Sequence, residues 1–160
     1  MPSGYSLRVY RPSDLLRLQE ITAHTFGPVS IDGGMEKLFG PFGRGDWRTR
    51  KTAAIADDCR LQPDGVFVAE DAGGTVVGYV TTRLNAESRV GWIPNLAVDP
   101  AHQGRGLGRV LLEHAIAFFR RSGMEVAKIE TLAQNPVGQK LYPSLGFKEV
   151  ARQIHYAMRL

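Results

Sequence analysis

Trp92-Ile93-Pro94-Asn95-Leu96-Ala97-Val98-Asp99-Pro100-Ala101-His102-Gln103-Gly104-Arg105-Gly106-Leu107-Gly108 runs through a change of hydrophobic period. Trp92 to Val98 reads as a strand, and Asp99-Pro100 ends it, since proline brings no amide to a sheet ladder. From Gly104 to Ser122 the apolar residues return every three or four places. Leu107, Leu111, Ala115 and Phe118 share one helix face, with Val110 and Phe119 flanking it. Arg120 and Arg121 lie where the helix dipole favours cations, and Gly123 is a natural stop. Val126 to Leu132 is the next strand. Strand, helix and strand form a crossover over residues 92 to 132, which places the chain among mixed α/β folds built on one sheet.

On the N-terminal side, Ser6 to Tyr10 alternates and reads as a first strand, punctuated by Arg11-Pro12-Ser13-Asp14. Ser13 or Asp14 is the expected cap of a helix with the stripe Leu15, Leu18 and Ile21, continued by Thr22. Thr25 to Gly45 is rich in glycine, with a short helical piece around Met35 to Phe39; a helix follows from about Trp47 to Asp58. Val66 to Glu70 and Thr75 to Leu84 read as a hairpin across the turn Asp71-Ala72-Gly73-Gly74. On the C-terminal side, Asn135 caps a short helix with Pro136 at its first position. Phe147 to Val150 and Gln153 to Arg159 are expected to close the chain as two strands. There is no internal repeat and no linker, so residues 1–160 are expected to form a single domain.

Composition narrows the function. An apolar fraction of 43% and a charged fraction of 22% exclude disordered and fibrous classes. No apolar stretch is long enough to span a bilayer, and Met1 to Tyr5 lacks a signal-peptide pattern. The lone Cys59 has no disulfide partner, so a cytoplasmic location is expected. A net charge of +4 suits a phosphate-bearing partner, although surplus cations that are merely solvated read the same way. No basic run indicates a nucleic-acid tail. His24, His102, His114 and His155 show no metal-ligand spacing, and no metal is expected.

The glycine loop carries the chemistry. The first amides of a helix have no intrahelical partner, and the dipole makes that end positive. Gly104, Gly106 and Gly108 would keep side chains out of a ligand's way, while Arg105 and Arg109 add charge, so the loop can hold an anion. It is not a Walker loop, which needs Gly-Lys-Ser/Thr. A Rossmann fingerprint needs its third glycine where Arg109 stands. A turn that only feeds a helix is the bland alternative.

Gln103-Gly104-Arg105-Gly106-Leu107-Gly108 resembles the Gln/Arg-x-x-Gly-x-Gly/Ala motif of the GNAT superfamily of acyl-CoA-dependent N-acyltransferases. Asn95-Leu96-Ala97-Val98-Asp99-Pro100 looks like that family's motif strand. Asn135-Pro136-Val137-Gly138-Gln139-Lys140-Leu141-Tyr142, followed by Leu145-Gly146-Phe147, resembles its second signature. The order of elements agrees over nearly the whole chain.

The resemblance implies a mixed, mostly antiparallel sheet of six to seven strands flanked by about four helices. A V-shaped groove splays open between the fourth and fifth strands. It implies acetyl-CoA as co-substrate, with the pantetheine arm paired to the backbone of Leu96, Ala97 and Val98. The pyrophosphate would lie on the amides of Gln103, Gly104, Arg105, Gly106, Leu107, Gly108 and Arg109, and Asn135 and Gly138 would lie beside the coenzyme. Pro94 belongs at an edge or bulge, which is compatible with a strand that leaves its neighbour, although a strand-end proline with no function would look the same. Tyr142 would be the general acid for the leaving thiolate, because a phenol near pKa 10 can protonate a thiolate of similar basicity. Seven residues on from Asn135, it would share that residue's helix face, while Pro143 biases it away from helical dihedrals. Without the motif, Tyr142 reads more readily as a core aromatic before the Gly146 stop.

The general base is open. The position before Asn95, often acidic in relatives, is Pro94, which leaves Glu130 as a weak candidate beside deprotonation by solvent. Asp32, Glu36 and Asp46 are candidates for attracting a cationic amine, or are solvated loop acids. Cys59 reads as a passive thiol. The implied activity is N-acetyl transfer to a primary amine, on a small molecule or a protein N-terminus, by direct attack on the thioester. The alternatives are a non-catalytic acyl-CoA sensor on the same fold and, from charge alone, a nucleic-acid-binding domain. Neither a membrane nor a nucleic acid is an expected partner; a homodimer stays open.

Overall fold

The computed structural model describes residues 1–160. One sheet of five strands runs in sequence order: β1 (Tyr5–Val9), β2 (Phe67–Asp71), β3 (Val76–Asn85), β4 (Val90–Val98) and β5 (Val126–Ile129). The first three pairings are antiparallel, and β4 with β5 is parallel, as the crossover requires. Five helices accompany it: α1 (Leu15–Thr25), α2 (Ile31–Phe39), α3 (Trp47–Leu61), α4 (Leu107–Arg121) and α5 (Pro136–Leu141).

The sheet is covered on both faces, which is why β3 is buried almost without interruption. On one face Leu107, Leu111, Leu112, Ala115 and Phe119 of α4 pack on Phe67, Val77, Val80 and Ile93. Leu141 and Tyr142 extend this cluster. On the other face Leu18 and Ile21 of α1 and Ile55 and Cys59 of α3 pack on Val68, Tyr79 and Ala97.

The β2–β3 turn forms as expected, with the Asp71 carboxylate accepting from the amides of Gly73 and Thr75. Five expectations need correction. The sheet has five strands, not six or seven: Phe147 to Val150 and Gln153 to Arg159 form none, although Val150, Ile154, Tyr156 and Met158 alternate as a strand would. Alternation provides a face but no neighbour, and a strand exists only where an edge accepts its backbone. Neither Ser13 nor Asp14 caps α1 through its side chain. Pro12–Asp14 is a 3-10 turn, and the buried Asp14 carboxylate is held by two bonds from the Arg8 guanidinium at 2.7 and 2.9 Å. The main helix starts at Leu107 rather than Gly104, and β5 stops at Ile129 rather than Leu132. Finally, α2 is a full helix of nine residues, capped by the Ser30 hydroxyl, where only a short piece was legible.

Candidate active site

The site begins where the sheet opens. β4 and β5 pair from Val90↔Val126 to Ile93↔Ile129, and no further. β4 runs on to Val98, still paired on its other edge with β3 from Thr81↔Asn95 to Gly78↔Val98. Between Thr81↔Asn95 and Arg83↔Trp92 two β4 residues, Ile93 and Pro94, face one of β3, so Pro94 lies at a bulge. It brings no amide to either neighbour and marks the level at which β5 leaves. The result is a V whose closed end is Ile93–Ile129 and whose β4 wall is the free edge of residues 94–98. The expected groove between the fourth and fifth strands is present.

That wall leads into the glycine turn. Gly104 and Gly106 have φ of +75° and +83°, and nothing lies within 4 Å of an added Cβ at Gly104. Their glycine character is therefore spent on backbone direction rather than on clearance. Gly106 is the N-cap residue of α4, no side chain caps that end, and no acid lies in the first turn. The leading amides of a 15-residue helix thus point at the mouth of the groove, with the positive end of its dipole. The Leu107 side chain is core, so only its backbone is available there. The Gln103 side-chain amide donates to the Val98 carbonyl at 2.9 Å, and Arg109 donates to Ser144 at 2.6 Å. Arg105 donates to Tyr5 Oη at 2.9 Å, which also bonds His102 at 3.0 Å. Tyr5 therefore braces the turn from β1; its position about a hundred residues upstream left no local signal in the sequence.

α5 closes the same face. Asn135 caps it as expected, its Oδ1 accepting from Gly138 N at 3.3 Å while its Nδ2 donates to Thr131 Oγ1 at 2.9 Å. A Cβ at Gly138 would lie 2.8 Å from Thr131 Oγ1 and 3.1 Å from Tyr142 Cε2. Gly138 thus makes room for the protein's own Thr131 and Tyr142. Tyr142 keeps helical dihedrals (φ −66°, ψ −47°) despite Pro143, because the chain continues directly into the 3-10 turn Pro143–Leu145. Burial raises the Tyr142 hydroxyl above its ordinary value, with the Thr131 side chain partly offsetting it.

The opposite face carries a polar network absent from the sequence reading. The Asp58 carboxylate, 2% exposed, accepts from Thr81 Oγ1 at 2.9 Å, Asn95 Nδ2 at 2.6 Å and Arg83 Nε at 3.0 Å. Asn95 Oδ1 in turn accepts from Lys51 Nζ at 2.6 Å. Arg83, Trp92 and Lys128 are opposite one another across three strands, with both cations over the indole at 5.6 and 5.4 Å. Glu130 is 52% exposed and ion-paired with Lys128 at 2.6 Å. Asp32 and Glu36, both on α2, are paired with Arg50, and Asp46 caps α3. Cys59 is buried, and burial pushes its thiol up to about 11, which leaves it inert at neutral pH. No cluster of three or more His, Cys, Asp or Glu side chains could hold a metal ion.

The chain is 30% identical over 162 residues to mycothiol acetyltransferase of Nocardia farcinica, covering 98% of this chain and 50% of that protein. It is 36% identical over 101 residues to N-alpha-acetyltransferase RimI of Mycobacterium tuberculosis, covering 59% of each. The chain spans about half the length of the curated mycothiol acetyltransferases it matches. The structure of yncA from Salmonella typhimurium with its cofactor acetyl-CoA superposes with a TM-score of 0.67 at 28% identity, over 93% of this chain and 82% of that one. Residues 34–147, from α2 through the glycine turn to the end of the α5 region, match the acetyltransferase (GNAT) family. The open β4 edge, the uncapped α4 and the α5 signature all lie within that span, and the chain belongs to the GNAT family.

Proposed function

We propose that the chain transfers the acetyl group of acetyl-CoA to a primary amine by direct attack on the thioester, with Tyr142 as general acid. The observation that carries this reading is the free β4 edge at residues 94–98, which runs unbroken into the uncapped start of α4. An extended pantetheine arm can pair with Leu96, Ala97 and Val98 as an added strand, and the pyrophosphate can take the amides of residues 103–109. Because the groove closes at Ile93–Ile129, an arm entering from the turn brings its thioester to the level of Pro94 and Asn95.

Attack by the amine nitrogen forms the amide bond as the carbon–sulfur bond breaks. The thiolate takes the Tyr142 proton, and the phenolate recovers one from the amine nitrogen. Asn135 and Gly138 act through their hold on Thr131 and Tyr142. Glu130, exposed and tied to Lys128, is a poor proton acceptor.

The acceptor is a small molecule or a protein N-terminus. Relatives named mycothiol acetyltransferase and N-alpha-acetyltransferase support that breadth. The decisive experiment measures thiol release from acetyl-CoA across a panel of small amines and N-terminal peptides. Acceptor-dependent release is expected. Tight coenzyme binding without release by any acceptor would refute the transferase and leave an acyl-CoA sensor.

A further inference from the structure

Lys51 is an α3 lysine with no carboxylate partner: its Nζ meets the Asn95 carbonyl oxygen at 2.6 Å and lies 4.5 Å from the centre of the Phe26 ring. Asn95 has no freedom to turn away, since its Nδ2 is fixed on the buried Asp58 and its residue is only 5% exposed. Asn95 is also the first β4 residue beyond the bulge, at the level where the groove closes. Its side chain points to the α1–α3 face, whereas α4, α5 and Tyr142 occupy the other. With the pantetheine arm as an added strand on the β4 edge and Tyr142 on the α4–α5 face, the α1–α3 face, where Lys51 lies, is left for the approach of a nucleophile.

We propose that Lys51 Nζ is the proton acceptor for the incoming amine. This rests on the transferase reading above. Neutral Lys51 takes one proton from the substrate ammonium, and the freed lone pair attacks the thioester carbonyl. The second amine proton replaces the one that Tyr142 gives to the thiolate, and Lys51 returns its proton to water. Asn95 Oδ1 and the Phe26 ring stabilise the lysine ammonium formed in passing. Asp32 on α2, paired with Arg50, and Asp58 on α3, paired with Arg83, are the charged groups facing it. Burial outweighs both and holds Lys51 below the ordinary lysine value, towards the neutral form a base needs.

Lys51→Met keeps the length and the apolar stem of the side chain. Its kcat/KM at pH 7 is expected to fall about a hundredfold or more, as for loss of a general base. The rate should then rise tenfold per pH unit towards the substrate's own pKa, with unchanged coenzyme affinity. Trimethylamine, which cannot be stably acetylated, should partly restore the rate. A variant within about threefold of wild type would overturn the assignment, as would a loss with neither an altered pH profile nor rescue. If wild type itself releases no thiol with any amine, the transferase reading falls first and takes this role with it.

Discussion

The two faces of the sheet are built from different material. On the α4–α5 face the features proposed to hold the coenzyme are backbone: a free strand edge, two glycines with positive φ and the leading amides of a helix. On the α1–α3 face the polar features are side chains reaching across the fold, from Lys51 to Asn95, from Asn95 to Asp58, and from Asp58 to Thr81 and Arg83. Backbone devices suit a ligand shared by many enzymes, because they ask only for a local chain path. Side-chain networks depend on which residues distant segments bring together, and it is in such a network that Lys51 is proposed to act.

Four measurements would break or sharpen this contrast. Gly106→Glu strikes the backbone device: a side chain at φ +83° is strained, and its carboxylate would face the incoming pyrophosphate. Coenzyme binding should disappear by calorimetry while the far-ultraviolet spectrum stays native. Unchanged affinity would move the pyrophosphate elsewhere. Asp58→Ala strikes the side-chain network, leaving Asn95 Nδ2 and Arg83 without their buried acceptor. It should cost about 3 kcal/mol in denaturant unfolding, and a loss below about 1 kcal/mol would show the network to be incidental.

Tyr142→Phe tests the side chain proposed to act from the α4–α5 face. Turnover should fall about tenfold or more, with coenzyme affinity unchanged. The sign of the pH effect follows from burial: the acid form must be present, and its pKa is raised, so the falling limb lies above pH 10 in wild type and is missing in the variant. Equal turnover at every pH would remove Tyr142 from the mechanism. The smallest effect is expected at Cys59. With its thiol near 11, about one molecule in a thousand is thiolate at pH 8, so iodoacetamide should leave the native protein unlabelled and fully active. Rapid labelling would show that the α1–α3 face opens.

Legibility followed the same division. The glycine turn, the α4 stripe, the Asn135 cap and the Gly123 stop were readable because each is a rule about residues a few places apart. Tyr5 and Lys51 were not, since a tyrosine in a strand and a lysine in a helix are unremarkable until a partner 100 or 44 residues away is brought beside them. Gly138 was read as a close approach to a coenzyme, and the close neighbours inside the fold, Thr131 and Tyr142, left no signal in the sequence. A glycine announces missing volume without saying what fills it. Two closing strands were expected from alternation and did not form.

By itself, the sequence determined the order of elements as far as α5, the β4–α4–β5 crossover and the glycine turn that starts α4, because dihedral preference and hydrophobic period are local properties. Only the tertiary structure decided where β4 parts from β5, which edge stays free and which buried groups gather around Asn95. Those depend on pairing and burial between distant segments, and no spacing along the chain records which neighbour an edge or a buried amine will find.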